Sequence, residues 1–94
     1  SPRFGTPEMW AERAARIRAQ GTPVLVSQQA ERWFAPGSIA ARPVITGRLL
    51  HNLSDADDES YALCCEALAA FDVREALRGK TTPVLAMYGE HDPV

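Results

Sequence analysis

Thr81-Thr82-Pro83-Val84-Leu85-Ala86-Met87-Tyr88-Gly89-Glu90-His91-Asp92-Pro93-Val94 ends the 94-residue sequence, and its apolar run decides the fold class. Val84 to Tyr88 is short, shows little alternation and is bounded by Pro83 and Gly89. These are the marks of a strand covered on both faces inside a parallel sheet. Everything before it reads as helix. A lone strand has no partner for its backbone amides and carbonyls, so the rest of the sheet must come from elsewhere. The chain is therefore expected to be mostly α with one parallel-sheet strand. It is either a piece of a larger α/β protein or a chain that pairs its strand with another copy.

Moving back from the strand, Asp72 can cap a short helix through Leu77, with Gly79 as its stop. The acidic run from Asp55 to Glu59 precedes Tyr61, Cys64, Cys65, Leu68 and Ala69, whose spacing makes one apolar stripe and puts negative charge at a helix amino end. Ser38 to Leu53 reads as a helical region broken near Pro43, because the residue before a proline avoids the α conformation. Thr22-Pro23 starts another helix that runs to Phe34, before Ala35-Pro36-Gly37 ends it. Thr6-Pro7-Glu8 supplies a cap, a first-position proline and a charge suited to the helix dipole. With Trp10, Ala14 and Ile17 at helical spacing and Gly21 as a stop, it predicts a helix over 7–20.

The composition excludes several classes. Net charge is -2, and ten basic residues are scattered among twelve acidic ones, so no basic face suited to nucleic acid accumulates. No apolar run approaches the roughly 20 residues that span a bilayer. No signal peptide is legible at the amino end, so the cytoplasm is the expected compartment. Cys64 and Cys65 are adjacent and cannot form an ordinary disulfide, which leaves them as small core residues in a reducing compartment.

Few residues carry a chemical signal. Asp92, on the turn after the strand, sits where open α/β sheets place functional side chains, and a carboxylate there can orient an imidazole. Its alternative role is to initiate an Asp-Pro turn. His91 invites a reading as general base or metal ligand, but adjacent residues leaving a strand point in different directions. The other histidine, His51, reads as a surface residue. Asp55, Asp57, Glu59 and Glu66 fall on ligand positions of a calcium loop, yet Ser60 replaces the required glycine and the helix leaves no loop, so capping is the better reading. Asn52-Leu53-Ser54 is a sequon expected to be silent without secretion. Trp33-Phe34, after Arg32, either packs a core or forms an aromatic wall over a pocket with Arg32 near an anionic ligand. No metal or organic cofactor is expected, and no nucleophile motif is present.

Thr6-Pro7-Glu8-Met9-Trp10-Ala11-Glu12-Arg13, Glu31-Arg32-Trp33-Phe34-Ala35-Pro36, Tyr61-Ala62-Leu63-Cys64-Cys65-Glu66-Ala67-Leu68 and Thr82-Pro83-Val84-Leu85, with Gly89-Glu90-His91-Asp92-Pro93-Val94, together resemble the 3-oxoadipate enol-lactone hydrolases. These are α/β-hydrolases of the β-ketoadipate pathway of aromatic catabolism. The Arg-Trp-Phe and Tyr-x-x-Cys-Cys pieces point to the lactonases, whereas the carboxyl-terminal part is shared across the superfamily.

The resemblance implies that residues 6–71 form the helical lid, or cap, of an α/β-hydrolase and that residues 72–94 form a core segment of helix, strand and acid turn. It maps the acid of a catalytic triad onto Asp92 and gives Trp33 a place on the lid side of the pocket for a lactone or ester. The serine and histidine of such a triad have no match in this chain, so the 94 residues alone are expected to be inactive. Two other expectations stand beside this one. The chain could be a self-associating helical interaction module, or the lid of another α/β-hydrolase such as an esterase or dehalogenase.

Overall fold

A computed structural model describes residues 1–91 and shows six α-helices: α1 (Pro7–Gln20), α2 (Val26–Trp33), α3 (Ser38–Ala41), α4 (Pro43–Ser54), α5 (Asp58–Ala70) and α6 (Arg74–Leu77). The expectation of a mostly α chain is borne out. The start of α1 follows its sequence signal: the Thr6 side chain accepts from the Met9 amide at 3.2 Å. The Glu8 carboxyl is held below the usual carboxylate range by its own backbone amide and by Thr6. The helix stops at Gly21, whose φ of +79° suits glycine and whose amide donates to Ile17 O at 2.7 Å.

The second helix begins later than its Thr22-Pro23 signal suggests. Thr22–Leu25 forms a 3-10 turn and only Val26 onward is α-helical. Thr22 is held from outside: its amide donates to Asp58 Oδ1 at 2.7 Å, and its hydroxyl lies 3.2 Å from both Ser54 O and Ala56 O. A tighter turn suits this anchoring and the β-branched Thr22 and Val24. The break near Pro43 is present, with α3 ending at Ala41 and α4 starting at Pro43. Asp57 caps α5 by accepting from the Ser60 amide at 2.8 Å, and this places the acidic cluster on a helix start instead of a calcium loop.

Helices α1 and α5 pack against each other and enclose a core of Ala14, Ile17, Leu25, Leu53, Ala62 and Cys65. Arg18 on α1 reaches across this interface to Glu59 and Glu66 on α5, with Nε to Glu59 Oε2 at 2.8 Å. The amino-terminal residues fold onto the segment after α5. Arg3 and Asp72 form an isolated antiparallel bridge, and the Val73 amide donates to Pro2 O at 2.9 Å. The Phe4 and Phe71 rings pack with centroids 6.0 Å apart. This pairing had no sequence signal, because it joins residues about seventy positions apart through backbone groups.

The strand expected at 84–88 does not form within the described residues, and residues 81–89 have no helix or strand assignment. Val84, Leu85, Met87 and Tyr88 are 86%, 82%, 86% and 85% exposed. The physical reason is the one already evident from composition: a ladder requires a second strand, and none lies beside this segment. Cys64 corrects a second expectation. It is exposed, while Cys65 is buried and burial pushes its thiol up. Consecutive helical residues lie about 100° apart around the axis, so the stripe that takes Cys65 inward leaves Cys64 outside.

A candidate substrate groove between two tryptophans

The amino-terminal residues, α1, the end of α2 and residues 89–91 converge on an open groove of about 940 Å³. Trp10 projects from the first turns of α1 and is fixed there, its indole N–H donating to Phe4 O at 2.6 Å. One turn later Arg13 stacks on it, with the guanidinium carbon 5.3 Å from the ring centroid. A cation over an aromatic face is held by the ring's quadrupole and by its planar fit. Arg32 and Trp33, at the carboxyl end of α2, also line the groove, together with Tyr61 and the buried Gln29.

Trp33 is about half exposed and lines the groove. Glu90 and His91 line it too. Asp92 follows them in the sequence and lies outside the described residues. His51 is exposed on α4, with Nε2 3.0 Å from Asp55 Oδ2, in keeping with its reading as a surface residue. Among the described residues no group of three His, Cys, Asp or Glu side chains is placed to hold a metal ion. No helix among them is long and apolar enough to cross a membrane.

Sequence reasoning singled out Arg32 and Trp33 but missed Trp10, Arg13, Gln29 and Tyr61. The signal for the first pair was available. Residues three apart on a helix share a face, so Trp10 and Arg13 are neighbours by spacing alone. Gln29 gave a weaker clue as a polar residue in the middle of a helix whose burial depends on tertiary packing.

Among the described residues the groove is lined by aromatic rings and by Arg3, Arg13 and Arg32, and none of its side chains is placed as an activated nucleophile. It can seat a small molecule and favour a negative group, and by itself it supplies no bond-breaking chemistry.

Comparison with protein-family models and with solved structures yields no match. Among curated proteins, the chain is 42% identical over 92 residues to 3-oxoadipate enol-lactonase 2 of Acinetobacter baylyi, covering 98% of this chain and 34% of that protein. It is 34% identical over 89 residues to 3-oxoadipate enol-lactonase 1 of the same organism, covering 95% of this chain and 34% of that protein. The chain thus spans about a third of the length of the curated relatives it matches. The resemblance read from its motifs is borne out: the chain is homologous to one segment of 3-oxoadipate enol-lactonases.

Proposed function

We propose that these 94 residues are the lid and the acid-bearing core segment of a serine-type ester or lactone hydrolase acting on 3-oxoadipate enol-lactone. The observation that carries this reading is the likeness to enol-lactonases along nearly the whole chain. The structure adds support for the boundary between lid and core. Residues 2–4 and 71–73 are bound to each other by the Arg3–Asp72 bridge, the Val73–Pro2 hydrogen bond and the Phe4–Phe71 pair. A helical unit inserted between two strands of a core leaves and returns at neighbouring points, and this junction brings the two ends of residues 6–71 together.

In this reading the nucleophile and the histidine come from polypeptide outside these residues. The serine attacks the lactone carbonyl and the ring oxygen leaves, giving an acyl-enzyme. Water activated by the histidine then hydrolyses that ester. Asp92 accepts a hydrogen bond from the imidazole and stabilises its charged form. Trp33 covers the substrate from the lid side and shapes the pocket that holds it.

The test is hydrolysis of 3-oxoadipate enol-lactone by the complete polypeptide that carries this segment, beside simple esters. The expected result is turnover of the enol-lactone, with Trp33→Ala raising KM. Turnover of esters but not of the enol-lactone would assign the lid to another α/β-hydrolase activity. The exposed apolar segment 84–88 favours one further reading, a module that associates through strand pairing. Sedimentation of the 94-residue chain as a monomer over a wide concentration range would exclude that module.

A further inference from the structure

We infer that Arg13 and Arg32 form an anion-binding subsite in the groove that takes the free carboxylate of the substrate and makes the site selective for negatively charged lactones. This rests on the enol-lactone reading above and assigns the side chains that read the substrate's charge. An oxoadipate has two carboxyl groups and only one closes the lactone ring, so the other stays ionised at neutral pH.

The assignment comes from sorting the arginines by partner. Arg18 is held by Glu59 and Glu66, Arg74 by Asp72 and Arg78 by Glu75. Arg16 lies within 3.4 Å of Val24 O. Arg3 lines the groove but lies beside Asp72, whose carboxyl it helps to hold low. Arg13 and Arg32 also line the groove, and among the described residues neither is joined to a carboxylate by an ion pair. Glu90 lines the groove as well, and among the described residues no ion pair connects it to either arginine.

The two cations differ in how they are held. Arg13 is stacked on Trp10, whose own ring is pinned by Phe4 O, so its planar fork is set before a ligand arrives. Arg32 stands at the last turn of α2, next to Trp33. A carboxylate in the groove would find two cationic donors in its lining, with Trp10, Trp33 and Tyr61 there to receive the rest of a small molecule. Arg42, Arg48 and Lys80 have no ion-pair partner among the described residues either, but they do not line the groove. Among the described residues, Arg13 and Arg32 combine a place in the groove lining with the absence of an ion-pair partner.

The test uses the complete polypeptide and two probes of equal chain length, monomethyl adipate with one carboxylate and dimethyl adipate with none. Binding of each is measured by calorimetry for wild type and for Arg13→Gln/Arg32→Gln, with thermal melting as the check on folding. The wild type is expected to prefer monomethyl adipate, less so as salt is raised. The double variant is expected to lose that preference by at least about tenfold, with dimethyl adipate binding unchanged. In the kinetic arm, the same variant should raise KM for the enol-lactone by at least about tenfold, and Arg→Lys replacements should restore only part of the effect. Equal binding of the two adipate esters by the wild type, or an unchanged preference in a folded double variant, would overturn the subsite. Preference for the monoester without hydrolysis of any ester or lactone would keep the subsite and overturn the hydrolase reading.

Discussion

Thr22 is fully buried, and it ties the turn after α1 to the junction of α4 and α5 through its amide and its hydroxyl. Thr22→Val keeps the shape but removes the hydroxyl donor, leaving the Ser54 and Ala56 carbonyls without it. The expected cost is about 1–3 kcal/mol, read as a lower urea midpoint with an unchanged slope. Asp72 gives a pH-dependent counterpart. Hydrogen bonds from the Arg74 side chain and amide, with a smaller contribution from the charge of Arg3, pull its carboxyl from an ordinary 3.8 down to about 2. A native carboxylate with a depressed pKa binds fewer protons than the unfolded one. Its stabilisation is therefore present above pH 3.8 and is lost as pH falls through about 2. Acid titration followed by the fluorescence of Trp10, which is hydrogen-bonded to the neighbouring Phe4, is expected to show a step in that window. Asp72→Asn should abolish it.

At the scale of elements, the legible features were those written in local chemistry. Thr6-Pro7 and Gly21 bracket α1 at its observed limits, Pro43 divides α3 from α4, and Asp57 with the acidic residues after it starts α5. What escaped the sequence depends on partners distant along the chain. The 3-10 turn at Thr22–Leu25 answers to contacts with residues 54–58, and the closure of residues 2–4 on 71–73 is made by backbone groups and a ring pair. The groove was half legible for the same reason: Arg32 and Trp33 stood out as a cluster, while Tyr61 and Gln29 reach it only through packing. Gly21→Ala tests the joint between α1 and the turn. Its φ is +79°, and a Cβ there would lie 3.2 Å from Pro23 Cδ and 3.3 Å from Asp58 Oδ2. The substitution is expected to destabilise the chain by more than about 1 kcal/mol in chemical denaturation. Ile17→Ala, which empties the centre of the α1–α5 interface, should cost about 2–4 kcal/mol by the same measurement.

The molecule as a whole is flat, with extents of 44 × 33 × 16 Å and a radius of gyration of 15.9 Å. A compact domain of this length has a radius of about 12 Å. Its accessible surface of 7181 Å² likewise exceeds the roughly 5,400 Å² of a compact monomer of the same mass. The apolar residues 84–88 contribute to that excess, and they carry strand composition without a ladder. The flat helical layer and the exposed apolar segment 84–88 support the proposed reading as a lid with a core segment. Backbone amides of 84–88 are expected to exchange with solvent rapidly in the isolated 94 residues and to be protected in the complete polypeptide, as read by hydrogen-exchange mass spectrometry. The most direct test of the central claim is the turnover of 3-oxoadipate enol-lactone by that polypeptide with Asp92→Ala. The expected result is a fall in kcat by roughly three to four orders of magnitude with the fold retained. Near wild-type turnover would contradict it and remove Asp92 from the triad.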